Sequence, residues 1–192
     1  MITNPSYAVV NGKKYKINTD FKVALECEKV GVADGIDDKE RALTIVYLLF
    51  GEQGLDNPQD WEKLLKCAQK FLACGNKPTK NNDEPNMDYE QDEKYIKASF
   101  MSDYGIDLGK AELHWWDFFD LINGLSEDSI LSRVRYVRDY DISEIKDSKE
   151  RAKMEHQKAM VALKPRKKKP MTAEQQKNLD RFLELTGIGK EQ

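Results

Sequence analysis

Apolar residues in this chain recur at spacings of three and four, in runs of roughly a dozen residues, and nearly every run stops at a glycine. That period puts side chains on one face of an α-helix, and a glycine just past the last turn ends it. The chain is thereby restricted to short amphipathic helices packed on one another. The clearest case opens with Asn57 as a cap and Pro58 at the first helical position, where its missing N–H costs nothing. Trp61, Leu64, Leu65, Ala68, Phe71 and Leu72 follow on one face, and Gly75 stops the run. A helix from Phe21 to Val30 is predicted after Asn18, Thr19 and Asp20, all competent caps, with Gly31 and Gly35 breaking it. From Asp37 to Phe50, Leu43, Val46, Tyr47 and Phe50 form one stripe, and Ile45, Leu48 and Leu49 cover much of the other side. This helix should be central and largely buried.

One segment departs from the pattern. Tyr7, Ala8, Val9 and Val10 are β-prone, Asn11-Gly12 is a strong hairpin turn signal, and Lys14 to Ile17 alternate polar and apolar. A β-hairpin is predicted from Tyr7 to Ile17. The polar stretch Asn76 to Asn86 holds two prolines and reads as a linker. It sets the expected division: hairpin plus helices over 1–75, linker over 76–87, a second helical unit over 88–163, and a basic hinge with a short tail helix over 164–192. In the second unit Tyr89, Ile96, Phe100 and Tyr104 share a face that ends at Gly105, before a short extended Ile106-Asp107-Leu108. Trp115, Phe118, Phe119, Ile122 and Leu125 make the next stripe, interrupted at Gly124. Ser126 is expected to cap the helix that carries Val134 and Val137, with Leu125 and Ile130 as a hydrophobic staple. Ser143 to Leu163 is charged and thinly apolar, a solvated helix whose ordering could await a partner. Thr172 and Gln175 form a capping box for a last helix bearing Leu179, Phe182, Leu183 and Leu185. The fold class is mainly α: a small N-terminal β-hairpin, a compact bundle of short amphipathic helices, and an extended charged C-terminal helix and tail. Each half is near the lower size limit for a stable core, so Trp61 or Phe71 should touch apolar residues beyond the linker.

Composition narrows the function classes. Of 192 residues, 40% are hydrophobic and 34% charged, enough for a core and too apolar for wholesale disorder. The net charge of −3, from 31 basic and 34 acidic residues, speaks against capture of nucleic acid by the whole chain. No apolar run approaches the roughly 20 residues of a membrane span, and the N-terminus has no signal-peptide pattern, so a soluble intracellular protein is expected. The cysteines, Cys27, Cys67 and Cys74, imply no disulfide framework. Cys67 and Cys74 read as neighbours on one helix, but zinc would need two more ligands, and the three read as small buried hydrophobes.

Catalytic patterns are missing from the sequence. It holds no phosphate loop, no dinucleotide fingerprint, no nucleophile elbow and no H-E-x-x-H. His114 and His156 come with no nucleophile and orienting group, and His114 reads as a helix-start residue. Asp88, Glu90, Asp92 and Glu93 cluster where a helix dipole favours them, without the glycine-centred loop of a calcium site. A non-enzymatic protein without cofactor or metal is expected. Trp115, Phe118 and Phe119 read as core; Trp116, about 100° away around the helix, is a candidate for a partner surface. Met154, Met160, Phe182 and Leu183 are the other partner-binding candidates, too few to build a core of their own. The basic run Lys164 to Lys169 suits phosphate backbones or acidic protein, though no aromatic is interleaved with it.

Residues 88 to 142 carry a recognisable combination. Tyr104-Gly105-Ile106-Asp107-Leu108 follows an acidic helix; His114-Trp115-Trp116 with Phe118, then Gly124-Leu125, Glu127-Asp128 and Arg138, come after it. With Gly12 to Phe21 at the start, the sequence resembles the phage tail family known as gene product fifteen, over about residues 7 to 160. The resemblance implies a small phage protein encoded between the major tail protein and the tape-measure protein. Proteins in that position look like tail assembly chaperones, which coat the apolar tape measure before tube subunits polymerise around it. It implies as partners the tape-measure protein and other tail proteins, with self-association also open, and as location the bacterial host cytoplasm during assembly. A minor tail or connector component retained in the virion, and a nucleic-acid-binding regulator using the basic run, are the alternative readings.

Overall fold

A computed structural model describes residues 3–76 and 85–165. They form two compact units, the first built from the chain before the linker together with Leu113–Phe118, the second from the segments on either side of that insertion.

In the first unit, β1 (Tyr7–Val10) and β2 (Lys13–Lys16) pair antiparallel, Tyr7 opposite Lys16 and Val10 opposite Lys13. Asn11 at φ 50° and Gly12 at φ 80° are the two left-handed residues that a tight hairpin turn requires. The pleat buries Ala8, Val10 and Tyr15 and turns Tyr7 and Val9 outward. Three helices follow: α1 (Phe21–Gly31), capped by Asp20; α2 (Asp38–Phe50); and α3 (Trp61–Leu72). A capping box of Asp37 and Glu40, which the sequence reading passed over, opens α2. Asn57 does cap, but it caps a 3₁₀ turn, Pro58–Asp60, that leads into α3. As expected, α2 is central: Leu43, Val46, Leu49 and Phe50 are buried, and Ile45, Tyr47 and Leu48 pack against the Val30, Ile36 and Leu43 cluster beside Trp61. The placement of Cys74 on a helix with Cys67 is corrected. Because α3 ends at Leu72, Cys74 lies in the turn at φ 50°, followed by Gly75 at φ 73°. Of the three cysteines only Cys27 is buried; Cys67 and Cys74 are half-buried.

In the second unit, α4 (Glu93–Tyr104) ends in Gly105 at φ 67°, whose N–H reaches back to Met101 O at 3.1 Å, an αL stop, with the Ile106 N–H on Phe100 O at 3.2 Å. The helix α5 (Trp115–Asn123) is shared: residues up to Phe118 belong to the first unit and those from Phe119 to the second. The sequence division at 76–87 thus misses that 113–118 returns to the N-terminal unit. There Phe71, as expected, meets residues from beyond the linker, stacking on Trp116 at 6.4 Å. Next comes α6 (Ile130–Asp139), whose cap is Ser129 and not Ser126. Both the N–H and the hydroxyl of Ser126 donate to Asp103 Oδ2 at 2.9 Å, so its oxygen is turned away from α6. Ile130 becomes the first helical residue and stays exposed, and the staple does not form. The charged stretch divides into a 3₁₀ turn, Ile142–Glu144, and α7 (Ser148–Val161), capped by Asp147 and without a buried residue. No helix among the described residues is long and apolar enough to cross a membrane. The expected tail helix, with Phe182 and Leu183, and all but the start of the basic run lie outside the described residues.

Candidate functional site

The densest concentration of motif residues surrounds the start of α5. An extended backbone segment lays Leu113–Trp115 against Thr19–Phe21: the Phe21 N–H donates to Leu113 O at 3.1 Å and the Trp115 N–H to Thr19 O at 2.7 Å. His114 caps the helix, its Nδ1 accepting the Trp116 N–H at 3.0 Å. An accepting Nδ1 carries no proton, so the ring proton sits on Nε2, which faces Pro5 O at 3.1 Å. Asn4 Nδ2 donates to Asp117 on the same turn at 2.6 Å.

The two indoles then converge on one target. Trp115 Nε1 donates to Leu72 O and Trp116 Nε1 to Phe71 O, both at 2.9 Å. A helix end leaves its last carbonyls without intrahelical partners, and here the tandem tryptophans supply donors to two of them. Trp115 is fully buried, and Phe118 stacks on it and on Phe21 at 5.7 and 4.8 Å. Trp116 is half-buried over Gly75, where a Cβ would lie 3.4 Å from the indole. The sequence argument that the two indoles cannot share a face holds for the Cβ directions. It overlooked that both side chains are long enough to reach the blunt end of α3. Trp116, a partner-binding candidate, thus has a structural anchor as well.

The other motif residues fix the second unit. Tyr104 donates its hydroxyl to Leu121 O at 2.9 Å. Asp107 Oδ1 accepts the Gly109 N–H at 3.0 Å, and Asp107 Oδ2 lies 3.2 Å from the Lys110 ammonium. These bonds hold the Asp107 carboxyl below its usual range, the Lys110 contact contributing most. Gly124 is tightly enclosed: a Cβ would stand 3.2 Å from Asp120 O and 3.3 Å from Tyr104 Oη, so either neighbour would have to yield by a few tenths of an ångström. Phe119 is half-buried.

Sequence reasoning missed the strongest polar constellation of this unit. Asp92, 1% exposed, receives both terminal nitrogens of Arg138 at 2.7 Å. Arg138 also donates to Asn86 O at 2.8 Å and to Val161 O at 2.6 Å. One guanidinium so joins the segment before α4, the start of α4, the end of α6 and the end of α7. The signal was present. Leu131, Val134 and Arg138 share one stripe of α6, and Asp92, Ile96 and Phe100 share one stripe of α4, so each ion occupies an apolar register.

Among the described residues no group of three His, Cys, Asp or Glu side chains is arranged to hold a metal ion. Some large apolar side chains face solvent among the charged ones. On the packed helices α6 and α7, Tyr136 is 61% and Met160 72% exposed, while Met154 is half-buried.

The comparisons with known proteins follow the motif. A sequence model for the family described as Bacteriophage Gp15 protein matches residues 5–163, which spans both units and α7. The chain belongs to the bacteriophage Gp15 family. No curated protein and no solved structure matches it. As a Gp15 protein it is a phage protein, and the matched range ends where the basic run begins.

Proposed function

We propose that this Gp15 protein is a non-enzymatic tail assembly factor that binds the tape-measure protein in the host cytoplasm during tail morphogenesis. Family membership supplies the phage context. The observation that carries the reading is α7: a fourteen-residue helix that contributes no buried residue to its own unit and presents Met160 to solvent. A helix formed and fastened at its end by Arg138 and Lys158, yet absent from the core, is a surface held ready for another protein. A long apolar helical client suits such a surface, because amphipathic helices recognise one another through anchors at helical spacing, and methionine adapts to imprecise partners. Modest affinity per copy suffices when many copies share one ligand.

Co-expression of the tagged protein with its untagged tape measure tests this. Co-purification and a larger soluble fraction of tape measure are expected, with Met160→Asp weakening both. If the tape measure is not retained and the protein occurs stoichiometrically in purified virions, the retained tail component replaces the chaperone reading.

A further inference from the structure

Charge in this chain is segregated. Helix α7 holds Lys149, Arg151, Lys153 and Lys158 against Glu150 and Glu155, and the second-unit residues 103–112 and 119–128 hold six carboxylates against one lysine. We propose that copies of this protein associate head to tail, the outward face of α7 in one copy docking on the acidic corner of the second unit in the next. The proposal goes beyond tape-measure binding and needs no third partner.

The acidic corner lies where α4 and α5 end. The Tyr104 bond to Leu121 O and the two Ser126 bonds to Asp103 bring those C-termini together, and helix C-termini carry partial negative charge. Asp120, Glu127 and Asp128 are exposed there. On α7, Lys149, Lys153 and His156 are all exposed, at spacings of four and three that align them along one face. Among the described residues, none of Lys149, Lys153, Asp103, Asp120, Glu127 or Asp128 is in an ion pair.

Within one copy these charges find no opposite charge at ion-pair distance, so a second copy supplies the matching charge. Two different patches in contact form an open row and not a closed pair. Segregated charge of this kind also steers encounter and fixes orientation.

Sedimentation velocity of the full chain tests the proposal, at about 50 mM and about 500 mM salt. At low salt the average mass should rise with concentration; at high salt it should return to the monomer. The pair Lys149→Glu with Lys153→Glu, and separately Glu127→Lys with Asp128→Lys, should each weaken association at least about tenfold. Mixing the two variants should restore it, since one native contact re-forms between them. If a reversal variant loses its helical circular dichroism, Lys149→Gln with Lys153→Gln takes its place. A wild-type chain that stays monomeric at low salt, or variants that associate as the wild type does, overturn the proposal. So does a monomer that retards duplex DNA, which would assign the basic face to nucleic acid.

Discussion

Among the described residues each unit buries one aspartate, and the two are satisfied by different chemistry. Asp60 in the first unit is 3% exposed and surrounded by neutral donors: Tyr15 Oη at 2.6 Å, Asn11 Nδ2 at 2.5 Å and Asn57 Nδ2 at 3.0 Å. Asp92 in the second unit takes a bidentate guanidinium. Asp60 ties the tip of a hairpin to the start of α3, elements already close to one another and needing alignment. Asp92, through Arg138, joins α7, which has no buried residue of its own, to the apolar-packed helices α4 and α6. Neutral hydrogen bonds align; a buried ion pair constrains more strongly, because losing one partner strands a charge in a poorly solvated site.

The comparison breaks most visibly at Arg138. Arg138→Met should cost about 3–5 kcal/mol, read as loss of helical circular dichroism in urea. Asp92→Leu added to Arg138→Met should recover part of that loss, since no charge is then stranded; a double variant worse than the single one would contradict this account. The three tryptophans all lie in the first unit, so their fluorescence reports on that unit and should shift less.

At the other carboxylate the expected effect is smaller. Tyr15→Phe removes one hydrogen bond to a charged acceptor, about 1.5–3 kcal/mol, and should lower the fluorescence midpoint. Its size should depend on pH. The Tyr15 bond, first among several, holds the Asp60 carboxyl below its ordinary value, while burial, followed by the Asp60 contacts, pushes the Tyr15 phenol up to about 12. A carboxyl whose folded value is depressed adds stability above its unfolded value, near pH 4. That stability disappears as pH falls through the lower folded value. The gap between wild type and Tyr15→Phe should therefore be full at pH 6 and shrink below about pH 4; a gap constant down to about pH 3 would remove Asp60 as its source.

Trp116→Phe keeps a ring over Phe71 and deletes one N–H donor. The carbonyl it served still accepts from the Cys74 N–H, so about 0.5–1.5 kcal/mol is expected. Unchanged stability combined with lost tape-measure retention would restore Trp116 as a partner contact. The smallest effect belongs to Met160→Ala, within about 0.5 kcal/mol because the side chain is exposed. A loss above about 1 kcal/mol would make Met160 a packing residue and remove it from the proposed surface.

The sequence by itself determined the local elements. The Asn11-Gly12 turn, the glycine stop after Tyr104, the Trp61 to Leu72 stripe and the buried α2 are written in residues a few positions apart. Their energetics are those of one turn or one helical face. It also carried the family, because the Tyr104 to Leu108 and His114 to Phe118 strings are contiguous. Only the tertiary structure decided which distant groups meet. Ser126 looked like a cap until Asp103, 23 residues earlier, claimed its hydroxyl. Trp116 looked available until α3 presented the carbonyls of its last turn. Asp92 read as one of a helix-start acidic cluster and Arg138 as a motif residue 46 positions later; only folding made them partners. Helical period and capping are set by neighbours along the chain, whereas the partner of a long polar side chain is set by which backbone ends and charges folding brings within its reach.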